Sequence, residues 1–171
     1  MKKNPMEDNL MQKSEDDKRE SLSTEYLENI LKQSKSKELG RFLKQNKGEM
    51  LDDERPFTVF MRQVLKKNKV SQHDMFMTAG ISDTYGYKVI SMEKPTKNRD
   101  LIIRLCLAAH MELVEVNRAL KLYGMAPLYA KISRDAALII AFNTHTYNMA
   151  DVDDMLVEYG FNTLYDYDED D

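Results

Sequence analysis

The chain has 171 residues, 42% of them hydrophobic, with 12 Met, one Cys, 6 Gly, 4 Pro and no Trp, a composition that suits an all-α protein rather than a β-rich one. Its 25 Lys and Arg stand against 29 Asp and Glu, yet residues 1–54 carry a net charge of −2, residues 55–124 one of +6 and residues 125–171 one of −8. One cysteine excludes an internal disulfide framework, and no stretch approaches the roughly 18 apolar residues of a membrane span or forms a signal peptide, so a cytoplasmic protein with no membrane partner is expected.

Residues 1–21 mix Lys, Glu, Asp, Asn and Ser with isolated Met and Leu, too little apolar surface to offset chain entropy, and disorder is expected there. Residues 22–54 read as a helical arm. Tyr26, Leu27, Ile30 and Leu31 recur at helical spacing, and Leu39, Phe42 and Leu43 do so again after Ser34-Lys35-Ser36, giving two short helices or one broken one. The acidic Asp52-Asp53-Glu54 precedes Pro56, suited to a first helical turn because its missing N–H would be unpaired there anyway.

A core of four to five helices is expected over 55–124. Phe57, Phe60, Met61, Val64 and Leu65 form one face of an amphipathic helix that carries Arg62, Lys66 and Lys67 opposite. Ser71 is a good N-cap for a short helix that Gly80 ends, and Ser82 caps the next, which runs to about Ser91. Glu93-Lys94-Pro95-Thr96 breaks the pattern. The segment from Leu101 to Ala109 is apolar on nearly every side and reads as a buried central helix, and a further helix covers Glu112 to Tyr123.

Residues 125–164 read as a second helical hairpin that duplicates the one before it. A shift of 36 aligns Ile103, Val116, Leu120, Tyr123, Gly124 and Leu128 with the identical Ile139, Val152, Leu156, Tyr159, Gly160 and Leu164. Residues 165–171 close as a solvated acidic tail. Folded back over the basic block, it would compete with DNA there.

A helix, a glycine turn and a capped helix between Ser71 and Ser91 have the layout of a helix-turn-helix. Val70-Ser71-Gln72, then Gly80-Ile81-Ser82, then Tyr85, Lys88 and Val89, with a Lys94-Pro95-Thr96 loop, resemble the repressor and Cro type (XRE-like) helix-turn-helix family. The match covers about 50 residues, less than a third of the chain. The resemblance implies sequence-specific binding of double-stranded DNA, transcriptional regulation in a bacterium or phage, and often a homodimer. Two positions depart from the family: Phe76 stands where a small residue is usual, and Gly86 where Val or Ile is usual. In the family these positions face one another, so a large residue opposite none would fill the same volume.

The physics of each part gives the site residues. Gly80 permits the left-handed turn, and Ile81 and Val89 point inward. Ser71 and Gln72 stand at a helix N-terminus, where N–H groups and a polar side chain would grip a phosphate. Ser82, Asp83, Thr84, Tyr87, Lys88 and Ser91 form the outward set of the recognition helix. Lys88 would donate to guanine, Asp83 accept from cytosine and Thr84 touch a thymine methyl, with Lys94, Lys97 and Asn98 reaching the backbone.

No enzyme, cofactor or metal site is expected. Cys106 and His110 are two ligands at most, and Ser71, His73 and Asp74 lie too close on one helix to form a nucleophile relay. The alternative to a DNA-binding regulator is a helical adaptor that binds a protein partner through the C-terminal hairpin, its helix-turn-helix being structural. A small immunity-like partner of a toxin is not separable from that adaptor by sequence.

Overall fold

The computed structural model describes residues 24–50 and 55–165, and every regular element among them is helical: the protein is all-α. The segment expected to be disordered (1–21), the acidic lead-in at 52–54 and the tail beyond Tyr165 lie outside the described residues. The chain forms two compact units that divide between Asp52 and Asp53.

The first unit holds α1 (Thr24–Gln33) and α2 (Leu39–Gln45), joined through a 3-10 turn at Ser36–Glu38. The interruption has local causes. Ser34 Oγ donates to the Ile30 carbonyl at 2.8 Å, and the Lys35 N–H is taken by Glu38 Oε2 at 2.7 Å, which diverts backbone groups from a continuous helix. Phe42 is buried, and Asn46 Nδ2 donates to the Phe42 carbonyl as α2 ends, while Tyr26, Leu31, Leu39 and Leu43 stay exposed.

The second unit holds α3 (Pro56–Asn68), α4 (Gln72–Thr78), α5 (Asp83–Ile90), α6 (Arg99–Ala108), α7 (Leu113–Tyr123), α8 (Ser133–Asn143) and α9 (Met149–Glu158). Pro56 opens α3, and Ser71 and Ser82 cap α4 and α5 by accepting from the Asp74 and Tyr85 N–H groups. Every residue of α6 from Leu101 to Ala108 is buried, as its lack of a polar face requires. One hydrophobic cluster runs from Phe57 to Leu164, so residues 125–164 complete the same core as 55–124.

Cys106 lies wholly inside that core, where burial, with Glu115 adding to it, pushes its thiol above the ordinary thiol range. A thiol reagent added to native protein is therefore expected to leave Cys106 unmodified and to label it only once denaturant unfolds the chain. Labelling at the free-thiol rate under native conditions would contradict this packing.

The hairpins α6–α7 and α8–α9 repeat one pattern of bonds. The Leu128 N–H donates to Asn117 Oδ1 and the Leu164 N–H to Asp153 Oδ1, both at 2.8 Å, a shift of 36 for the second helix of each hairpin and its trailing loop. The first helices follow a different register. Met111 N donates to Cys106 O where Thr146 N donates to Ala141 O, and the left-handed residues after the helices are His110 and His145, a shift of 35. The uniform shift of 36 is thus corrected over α6 and α8: Ile103 corresponds to the equally buried Leu138, not to Ile139, because one extra residue sits in the α8–α9 turn. In this register Arg99 matches Arg134 and Asp100 matches Asp135. Arg99 pairs with Asp135 and Arg134 with Asp100 across the two hairpins, while Arg99 also holds the Ala126 and Pro127 carbonyls and Arg134 those of Asn162 and Thr163.

Candidate functional site

The exposed side of α5 and its surroundings make up the candidate site. Inward, α5 buries Gly86, Val89 and Ile90. A Cβ on Gly86 would lie 2.5 Å from a Phe76 ring carbon, so the absent side chain is what lets the Phe76 ring of α4 lie against the α5 backbone. Tyr87 packs on the same ring with 5.2 Å between centroids and the two planes nearly perpendicular, and remains 50% exposed. Gly80, at φ +71°, makes the turn between α4 and α5, and Ile81 is half-buried against the core.

Outward, Ser82, Thr84, Tyr87, Lys88 and Ser91 are all exposed. Lys94 is brought back to the end of α5 because its N–H donates to the Lys88 carbonyl at 3.1 Å. Arg55, ahead of α3, reaches the Ser91 carbonyl with Nη1 at 2.8 Å, and Thr58 Oγ1 donates to the Ile90 carbonyl. These bonds satisfy carbonyls at the C-terminal end of α5 and gather Arg55, Lys88 and Lys94 around it. Sequence reasoning missed Arg55, which is 36 positions from the carbonyl it holds and carries no local signal.

The leading edge differs from expectation. Ser71 Oγ donates to Asp74 Oδ2 at 2.6 Å and accepts from the Asp74 N–H at 3.0 Å, so an exposed carboxylate already occupies the start of α4 where Ser71 and Gln72 were expected to grip a phosphate. Gln72 is half-buried. Asp83 is held by His73 Nδ1 at 2.9 Å, which ties the start of α5 to α4. Asn98 Oδ1 caps α6 by accepting from the Leu101 N–H, leaving it less suited to a backbone contact than Lys97, which is exposed.

Part of the basic block is taken up within the fold. Arg99 is spent on Asp135, Arg104 is fully buried with Nη1 on the Ala79 carbonyl, Arg118 lies 5.0 Å from the Phe60 ring centroid, and Lys67 pairs with Glu115. The exposed cations of residues 55–124 are Arg55, Arg62, Lys66, Lys67, Lys69, Lys88, Lys94, Lys97 and Lys121, most of them on or flanking α3 or near the C-terminal end of α5. Among the described residues no group of three or more His, Cys, Asp or Glu side chains could hold a metal ion, and no helix is long and apolar enough to cross a membrane. No family model matches the chain, and comparison with curated proteins and with solved structures likewise gives no match.

Proposed function

We propose that this protein is a sequence-specific DNA-binding regulator of bacterial or phage type, related to the repressor and Cro helix-turn-helix family, that lays α5 in the major groove. One observation carries the reading: α5 buries one side against Phe76 and exposes Thr84, Tyr87, Lys88 and Ser91 on the other, with Arg55 and Lys94 gathered at its end. Lys88 reads base edges, Thr84 and Tyr87 supply apolar and hydroxyl contacts, and Arg55, Lys94 and Lys97 meet phosphates. Asp83 orients α5 through His73 rather than reading a base, and Asp74 opposes the phosphate backbone at the edge of the site. A second copy of the chain on a two-fold related half-site fits this mode of reading.

Duplex retardation at several salt concentrations tests the proposal. Affinity is expected to fall steeply with salt, Lys88→Glu and Lys94→Glu each to weaken binding by about tenfold or more, and Asp74→Asn to strengthen it a few-fold. A wild-type chain that leaves duplex unshifted at every salt concentration would sink the reading.

One observation favours the adaptor as the second reading. Tyr129, Ile132 and Ile140, in and just ahead of α8, are each more than half exposed, an apolar surface on the C-terminal hairpin suited to a protein partner. An adaptor ignores duplex and loses its partner when Ile132 and Ile140 become Lys.

A further inference from the structure

We propose that α1 and α2 form a self-association surface: this arm packs on the same arm of a second copy of the chain, with the two α1 helices antiparallel. That the pairing serves to set two copies of α5 on two half-sites rests on the DNA-binding reading, but the contact itself does not.

The apolar residues of the arm point to an absent layer. Tyr26 and Ile30 of α1 line one cleft with Phe42 of α2, so that side of α1 faces α2. Leu27 and Leu31 each follow by one residue, which turns them about 100° round the helix and away from that contact. Leu31 is exposed, and so are Leu39 and Leu43, one turn apart on α2. Among the described residues of the first unit, Phe42 is the one apolar side chain that is buried. Helices this short draw most of their stability from burying an apolar face, so one buried phenylalanine beside three bare leucines leaves the arm in need of a further layer.

Charge order selects the occupant. The exposed Glu25 and Glu28 stand in the first half of α1, and the exposed Lys32, Lys35 and Lys37 stand at its end and just past it. A second α1 laid antiparallel sets each acidic start against the basic end of the other, whereas a parallel one sets like charge on like. Glu28 and Lys35 are seven residues apart and so border the same edge of α1, beside Leu31. Matching Glu28 of each copy to Lys35 of the other brings the two Leu31 side chains together at the centre of the pair. A surface that complements itself in one orientation closes as a two-fold dimer.

Sedimentation equilibrium of the full chain tests the contact. The wild type is expected to be a reversible dimer. Two sets of surface substitutions keep every leucine and so spare the fold: Glu25→Lys with Glu28→Lys makes α1 basic throughout, and Lys32→Glu with Lys35→Glu makes it acidic throughout. Each protein alone is expected to dimerise about tenfold more weakly or worse, and an equimolar mixture of the two to pair at least as tightly as the wild type. Leu31→Glu with Leu43→Glu should give a monomer. A wild type that stays monomeric at its highest soluble concentration would overturn the proposal, as would charge variants that dimerise like the wild type or a mixture that fails to pair. A dimer that survives the arm substitutions and is split by Ile132→Lys with Ile140→Lys lies on the C-terminal hairpin and overturns it too. Duplex retardation by the same proteins separates the two readings. A monomeric wild type that retards duplex leaves the DNA reading standing without the arm contact; a charge-paired dimer that retards none leaves the arm contact standing without the DNA reading.

Discussion

Replacing Gly86 with valine is expected to destabilise the protein by about 3 kcal/mol, and replacing Phe76 with alanine by about 3–5 kcal/mol, whereas the two together should cost far less than their sum. The Phe76 ring occupies the space a side chain at 86 would need, at 2.5 to 2.6 Å from its Cβ, so the single valine must push a buried ring aside. The single alanine leaves a cavity where that ring was. Alanine at 76 with valine at 86 moves the bulk from one helix to the other and restores contact. Urea unfolding of the four proteins measures the coupling. Additivity to within about 0.5 kcal/mol would mean that the two positions do not fill a common volume. Tyr87 packs on the same ring, so Phe76→Ala should also loosen α5 and weaken any function its outer side performs.

Asp135→Ala should be comparably severe, at about 3–5 kcal/mol, because it leaves the Arg99 guanidinium without its carboxylate partner in a mostly buried place. Asp135 takes both Arg99 Nη1 and Nη2 at 2.9 Å and the Tyr129 N–H at 3.0 Å, and its side chain is only 3% exposed. Burial by itself raises the Asp135 pKa, but the Arg99 hydrogen bonds, the Tyr129 N–H and the charges of Arg99 and Arg134 outweigh it and hold the carboxyl below the usual aspartate value. A lowered folded pKa places the stabilisation above the unfolded value and removes it as pH falls through the folded one. The stability difference between wild type and Asp135→Asn is therefore expected to be constant at neutral pH and to shrink on acidification below about pH 4. A difference that grows in acid would contradict the assignment. The partner pair Arg134 and Asp100, each about a quarter exposed at 23%, should matter less.

Much of the helical layout was legible in the sequence because its signals are local. Pro56, Ser71, Ser82, Gly80 and Gly124 each act within one turn of themselves, and the even apolarity of α6 leaves a central position as the only way to bury it. The juxtaposition of Phe76 with Gly86 was expected only through the resemblance to the repressor and Cro family, in which these two positions face one another. The repeat was legible but its register was not: identity at a shift of 36 is satisfied by an amphipathic helix in more than one phase, and the extra residue in the α8–α9 turn shows only in the bonds it displaces. The candidate site was readable as a set of exposed residues, not as a set of partners. Nothing in the spacing of His73 and Asp83, or of Ser71 and Asp74, told whether the carboxylates would face solvent or a neighbour.

By itself the sequence determined the helical class, most helix ends and which side of α5 faces out, since caps, glycine turns and 3.6-residue periodicity are properties of a few consecutive residues. Only the tertiary structure decided which cations remain outward and which are consumed. It also decided that Arg55 belongs to the end of α5, that the two hairpins lock through Arg99 with Asp135 and Arg134 with Asp100, and that Tyr165 rests on the Gly80 turn. Those facts depend on how helices far apart in the chain are packed, and a charge count is the same whether an arginine faces water or lies beneath a tyrosine ring.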